Sequence, residues 1–214
     1  MNVKLVWATP DADKQIAYIA RVSAPANQAN ESIEGLLKYM MREGHVSPFE
    51  MVNACFEITT TRDIGRQILR HRSFSFQEFS QRYATTDALP DAPLRECRMQ
   101  DTKNRQNSIP ATNADTIAAW EQMQADLRDH AYTSYQSALA LGIAKEQARA
   151  LLPEGLTASR LYMNGNIRSW ITYLLSRLDL STQKEHREIA EQVLTILRGV
   201  APMTIGAFFP EGTE

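Results

Sequence analysis

The sequence predicts one α+β domain, a mixed or antiparallel sheet packed with several helices, the long ones in the C-terminal half. Three observations carry that expectation. Strand-like apolar runs at 3–7, 51–59 and 157–163 lie between segments of helical spacing. Apolar residues recur every three or four positions through 114–141, 167–178 and 182–200. No linker, composition shift or internal repeat divides residues 1–214, and 43% hydrophobic residues suffice for one core.

Residues 3–7 read as a strand, and Thr9-Pro10 as an N-cap with Pro at the first helical position. The helix so opened turns Ile16, Ile19, Ala20 and Val22 inward. Ser32 is placed as the cap of a second helix, with Ile33, Leu36, Leu37, Met40 and Met41 at helical spacing and Gly44 as its stop. The run 51–59 gains good β-formers toward its end. It leads into a helix whose Arg62, Arg66 and Arg70, spaced i, i+4 and i+8, share one stripe. From Ser73 polar and apolar residues alternate through Phe74 and Phe76, a short extended segment with one packed face.

Residues 84–113, rich in Thr, Asp, Pro, Asn and Gln, read as a long loop excursion with one short strand near 94–99. A long helix over 114–141 then offers Ile117, Trp120, Met123, Leu127 and Ala131 as a core stripe and ends at Gly142. A short helix over 145–152 is stopped by Pro153. Residues 157–163 form a strand, Asn164-Gly165-Asn166 a turn, and 167–178 a helix with Trp170, Tyr173, Leu174 and Leu178 inward. Thr182 and Glu185 make a capping box for the last helix. Its Ile189, Val193, Ile196 and Leu197 face the core as far as Ala201-Pro202, and the tail beyond offers no legible chemistry.

Composition excludes several classes. A net charge of −2 and a pI near 6.1 argue against general nucleic-acid binding. No run of 18 apolar residues and no signal-peptide pattern occur, so a cytoplasmic protein is expected. Cys55 and Cys97 make neither a disulfide framework nor metal spacing, and no metal is expected.

The chemistry concentrates in residues 70–83, which hold three Arg, one His, three Ser and one Glu among aromatics. Residues 62–82 carry five Arg against Asp63 and Glu78, a local charge of +3. Arg-rich helix faces are usually solvated; the alternative is a site for an anion that bears a flat ring. Order and spacing favour the second. Arg70-His71-Arg72, seven residues, Ser80 and then Arg82-Tyr83 resembles the signature of the flavin-dependent thymidylate synthases.

Four further stretches agree. His45-Val46-Ser47-Pro48-Phe49-Glu50 resembles the family's flavin element, with Met51 where a second His often stands. Ala148-Arg149-Ala150-Leu151-Leu152-Pro153 resembles its nucleotide-contacting element, although an Arg there is a surface residue by default. Asn166-Ile167-Arg168-Ser169 resembles a flavin-touching segment, and Thr172 stands where family members often carry Asn. Arg177, which the helix dipole alone would explain, matches the family's uracil-contacting arginine. Gln183 continues the pattern.

The resemblance implies reductive methylation of dUMP to dTMP. FAD carries the hydride, NADPH re-reduces it, and 5,10-methylenetetrahydrofolate supplies the carbon. The absence of GxGxxG and Walker loops requires side chains and helix ends to hold the flavin. The residues implied for FAD are His45, Ser47, Glu50, Arg70, His71, Arg72, Glu78, Asn166, Ile167, Arg168 and Thr172. Those implied for dUMP are Gln67, Ile68, Leu69, Arg70, Glu78, Phe79, Ser80, Gln81, Arg82, Arg149 and Arg177. Arg177 is the catalytic member, stabilising negative charge on the uracil ring. A homotetramer that shares its sites between subunits is also implied. Ser80 as a nucleophile is the competing role, but no partner base is evident for it. Two rival classes stand beside this reading: another nucleotide-acting flavoenzyme, and a non-catalytic module binding anions or nucleic acid.

Overall fold

Pairing of distant strands builds the platform of the fold in the computed structural model, which describes residues 1–210. The strands are β1 (Asn2–Ala8), β2 (Asn53–Thr61), β3 (Ser75–Glu78), β4 (Arg98–Gln100), β5 (Ser108–Pro110) and β6 (Ala158–Asn166). Four of them form an antiparallel sheet in the order β1-β2-β6-β3, and β4 pairs with β5 as a separate hairpin. The register of β2 on β6 runs from Asn53 opposite Asn166 to Thr61 opposite Ala158. Alternate residues Ser159, Leu161, Met163 and Gly165 turn to the buried face, as a half-buried strand requires.

The helices are α1 (Ala12–Ala20), α2 (Glu34–Arg42), α3 (Arg62–Ile68), α4 (Ala114–Ala140), α5 (Lys145–Ala148), α6 (Ile167–Arg177), α7 (Lys184–Val200) and α8 (Pro202–Phe208). The core joins Phe56 and Ile58 of β2 to Ile64 and Ile68 of α3, Trp170 and Leu174 of α6, and Ile189 and Val193 of α7. Trp170 sits edge-on between Phe56 (4.8 Å between ring centroids) and Phe74 (4.6 Å), and its Nε1 donates to the Ala54 carbonyl at 3.1 Å. The α+β class expected from the sequence is the observed one.

Several local expectations change, each for a physical reason. None of the three expected hydroxyl caps forms. Thr9 Oγ1 accepts from the Asn53 amide at 3.0 Å, and α1 starts later, after Asp11 at φ 49°. The Ser32 carbonyl accepts from Arg21 Nη2 at 2.7 Å, and Ile33 holds the N-cap position of α2. Thr182 Oγ1 donates to the Ser176 carbonyl at 3.1 Å, leaving Gln183 before α7 with no side-chain cap. Gly44 does stop α2: at φ 69° it lets His45 N reach the Met40 carbonyl at 2.8 Å while its own N–H bonds Met41 at 3.2 Å.

Val22, expected inward, is exposed, and in place of one short strand near 94–99 the excursion holds two, Arg98–Gln100 and Ser108–Pro110. The region 145–152 is helical only over Lys145–Ala148 before a 3-10 turn at Arg149–Leu151. Asn164-Gly165-Asn166 is no turn: it pairs with Cys55, Ala54 and Asn53 of β2 so that β6 runs straight through it into α6, and glycine stands at 165 because the Phe74 ring lies where a side chain would be. Beyond Ala201-Pro202 the unread tail forms α8, whose first amides, Met203 and Thr204, bond the buried Asp13 carboxylate at 2.7 and 3.0 Å. Of the stripe expected on α4, Ala131 is buried, but Trp120, Met123 and Leu127 are 38%, 63% and 53% exposed. They line a cleft of about 1140 Å³ instead of a core.

Candidate active site

Helix α3 is only seven residues long, so the arginine stripe divides. Arg62 and Arg66 reach Glu154, at 4.0 and 3.0 Å, while Arg70 lies past the helix end and is exposed. The turn that follows, with His71 N on the Ile68 carbonyl at 3.1 Å and Phe74 N on the His71 carbonyl at 3.3 Å, swings His71 inward. There it meets Arg177 at the end of α6.

Arg177 Nε donates to His71 Nε2 at 2.9 Å. A guanidinium only donates, so His71 Nε2 is the lone-pair nitrogen and the ring proton sits on Nδ1. The His71 ring is edge-on to Tyr173 at 5.0 Å and to the fully buried His186 at 6.2 Å. Burial, then the Arg177 charge, lowers His71 to about 4. Burial, then Arg177 and His71, lowers His186 to about 3. Burial pushes the Tyr173 phenol up, against the opposing pull of Arg177. At neutral pH the cluster is therefore one permanent cation among three neutral rings. No carboxylate pairs with Arg177 among the described residues. Such a cation suits an anion that forms beside it.

The two histidines make stability depend on pH, with a definite sign. Below the ordinary value of 6.5 the unfolded chain takes up protons that the folded chain refuses until about 4 at His71 and about 3 at His186. Their contribution is full above 6.5 and is lost as pH falls toward those values. The thermal midpoint should thus drop between pH 6.5 and 5, and a His71→Asn, His186→Asn variant should show a flatter slope. An unchanged slope would place the rings outside this linkage.

Several of the residues expected at FAD gather around the first turn of α6, whereas His71 lies against Arg177 at the far end of that helix and Glu78 against Ser159 of β6. Ile167 N donates to the Val52 carbonyl at 2.9 Å, Ser169 Oγ to the Ser73 carbonyl at 3.3 Å, and Arg168 is ion-paired with Glu50. Asn166 caps the helix by accepting from Ser169 N at 2.8 Å, and Thr172 Oγ1 donates to the Arg168 carbonyl at 3.1 Å. His45 is exposed against Tyr39, and exposed Ser47 opens the 3-10 turn before β2. Arg70 and Arg72 are exposed without a carboxylate partner among the described residues. Two exposed guanidinium groups with no carboxylate partner among the described residues are a donor set that fits a dinucleotide pyrophosphate.

The residues expected at dUMP fall into two groups. One is Gln67 and Arg177, linked through the rings of His186 and His71. In the other, Arg82 pairs with Glu146 at 3.1 Å and Arg149 Nε donates to the Glu146 carbonyl at 3.3 Å, with exposed Ser80 two residues before Arg82. On helix α3, Gln67 reaches α7, while Gly65 lies beside Glu78, whose Oε1 accepts from Ser159 Oγ at 2.9 Å. Ile68 is fully buried in the core, and Gln81 is 3% exposed, its Nε2 without a hydrogen-bond partner among the described residues. Leu69 and Phe79 are half-buried. Among the described residues no histidine pairs with Ser80, and His71 is held by Arg177 instead.

A sequence family described as thymidylate synthase complementing protein matches residues 4–203. A flavin-dependent thymidylate synthase of Synechocystis sp. is 54% identical over 175 residues, covering 82% of this chain and 79% of that protein. The chain belongs to the flavin-dependent thymidylate synthase family. A probable member from Paramecium bursaria Chlorella virus 1 is 47% identical over 198 residues, covering 89% of this chain and 90% of its own. Among solved structures, the UMP/dUMP methylase PolB from Streptomyces cacaoi, bound with 5-Br dUMP, is similar at a TM-score of 0.83 and 32% identity. That match covers 97% of this chain and 94% of PolB.

Sequence reasoning missed His186. The signal was present: His186, Ile189, Val193 and Leu197 follow one another at helical spacing, and all four are buried. A polar residue on an apolar stripe needs a partner inside.

Proposed function

We propose that this chain converts dUMP to dTMP by reductive methylation, with 5,10-methylenetetrahydrofolate as carbon donor, FAD as cofactor and NADPH as reductant. The observation that carries this reading is Arg177, a cation between neutral rings with no carboxylate partner among the described residues, in a chain of this family. FAD supplies the hydride when bound; the protein binds, orients and polarises. His45, Ser47, Glu50, Arg70, His71, Arg72, Glu78, Asn166, Ile167, Arg168 and Thr172 are its holders. Ser80, Arg82 and Arg149 take the dUMP phosphate, whose oxygens suit guanidinium forks. Glu146 restrains Arg82 until phosphate replaces it. Gln67, Arg70 and Glu78 seat the nucleotide. Arg177 stabilises negative charge on the uracil, which makes C5 more nucleophilic without a covalent adduct to the protein.

The test is direct. The purified protein should show a flavin absorbance band and form dTMP from dUMP only when methylenetetrahydrofolate and NADPH are both present. A colourless protein inert toward dUMP would overturn the reading.

Two groups of nucleotide residues with no hydrogen bond joining them among the described residues suit a site completed by a second copy, and we read the enzyme as a homotetramer. Trp120, Met123 and Leu127 on α4, with Met99 and Ile109 of the hairpin, give the apolar face on which copies meet. Met123→Glu should lower the solution mass and the activity together; an unchanged mass would remove α4 from the interface. Among the described residues no helix is long and apolar enough to cross a membrane, and we assign the enzyme to the cytoplasm as one domain.

A further inference from the structure

We propose that Gln183 and His186 are positioning residues that lock the Gln67 side-chain amide in one orientation for dUMP, a role that rests on Gln67 lying at the nucleotide. The argument is one of hydrogen-bond direction. The Glu185 carboxylate has only acceptors; it pairs with Arg95 at 3.3 Å and takes a hydrogen bond from Gln183 Nε2 at 2.9 Å. With its NH2 committed there, Gln183 turns Oε1 toward Gln67, whose Nε2 donates to it at 2.8 Å. Gln67 Oε1 is then left facing His186 Nδ1 at 3.2 Å, so His186 must carry its proton on Nδ1. Each member dictates the next, and the direction originates at a carboxylate that cannot be flipped.

Three features suit this relay to positioning rather than to general stability. His186 is fully buried beside Tyr173 (5.7 Å) and His71 (6.2 Å), so its ring cannot rotate freely. Its Nε2 has no partner among the described residues, which means that Nδ1 supplies its only hydrogen bond and points at Gln67. Gln183 is exposed and adds little to the core. Held this way, Gln67 keeps one free N–H and one free lone pair in fixed places. A flipped amide would exchange donor for acceptor and mispair with a nucleotide.

The experiment is dUMP titration calorimetry on the flavin-loaded holoenzyme, with dUMP KM and kcat measured alongside. Gln67→Ala should weaken dUMP about tenfold, and Gln183→Leu and His186→Leu severalfold each, with kcat at saturating dUMP changing less than KM. In the Gln67→Ala background neither should add more than about twofold, because they act through Gln67. His186→Asn, whose amide N–H can stand in for Nδ1–H, should stay within about threefold of wild type. Full additivity in the Gln67→Ala background overturns the relay alone, as does a His186→Asn variant no better than His186→Leu. Unchanged dUMP binding in Gln67→Ala removes Gln67 from the nucleotide and the proposal with it. A wild-type protein that does not bind dUMP at all instead refutes the proposed activity. Gln183→Leu, at an exposed position, decides the question even where a His186 variant fails to fold.

Discussion

Arg177→Ala is expected to slow dTMP formation about a thousandfold at saturating dUMP, in a protein that stays folded and loaded with flavin. Two roles compete for this residue. At the C-terminus of α6 it complements the helix dipole, and losing that would cost about 0.3–1 kcal/mol of stability and little rate. Beside neutral His71, His186 and Tyr173 it is instead a charge available to an anionic ring. Removing a preorganised charge-stabilising group from a dry site costs about 4 kcal/mol of barrier. Arg177→Lys should rescue poorly, because an ammonium cannot both donate to His71 as Nε does and offer a planar fork. Single-turnover dTMP formation in the three proteins decides it. A near-wild-type rate in Arg177→Ala would return the residue to the dipole role.

Gly165→Ala is expected to lower stability by about 3 kcal/mol, the upper range for an overpacked core. A methyl group there would stand 2.4 Å from Phe74 Cδ1 and 2.5 Å from Cε1. The ring cannot recede, since Trp170 lies 4.6 Å away between centroids and His71 and Tyr173 at 6.3 and 6.2 Å. For a chain of this size the thermal midpoint should fall by about 10 °C. His71 should move with Phe74, whose amide it accepts at 3.3 Å, so flavin retention should suffer as well. Phe74→Leu in the Gly165→Ala background should recover part of the loss. A midpoint within about 2 °C of wild type in Gly165→Ala would show that the segment 70–78 gives way cheaply.

The chain by itself determined what depends on near neighbours. Gly44 as a helix stop, the helix opened after Asn166 and the alternation of Phe74 and Phe76 are settled within a few residues, and each appears in the fold. The spacing of Arg70-His71-Arg72, Ser80 and Arg82 is likewise local, which is why the family was legible before any fold was known. Periodicity showed that α4 has an apolar face, but a period says nothing about what covers it, and Trp120, Met123 and Leu127 line a cleft. Cap motifs at Thr9 and Thr182 failed because their hydroxyls found partners outside the helix each was to open, Asn53 and Ser176. Only the tertiary structure decided the charge state and polarity of the site. Arg177 and His71 are 106 positions apart, Gln67 and Gln183 116, and Gln67 and His186 119. A neutral imidazole, its tautomer and the direction of an amide are set by burial and by the partner across the contact, and neither is written in the spacing of residues along the chain.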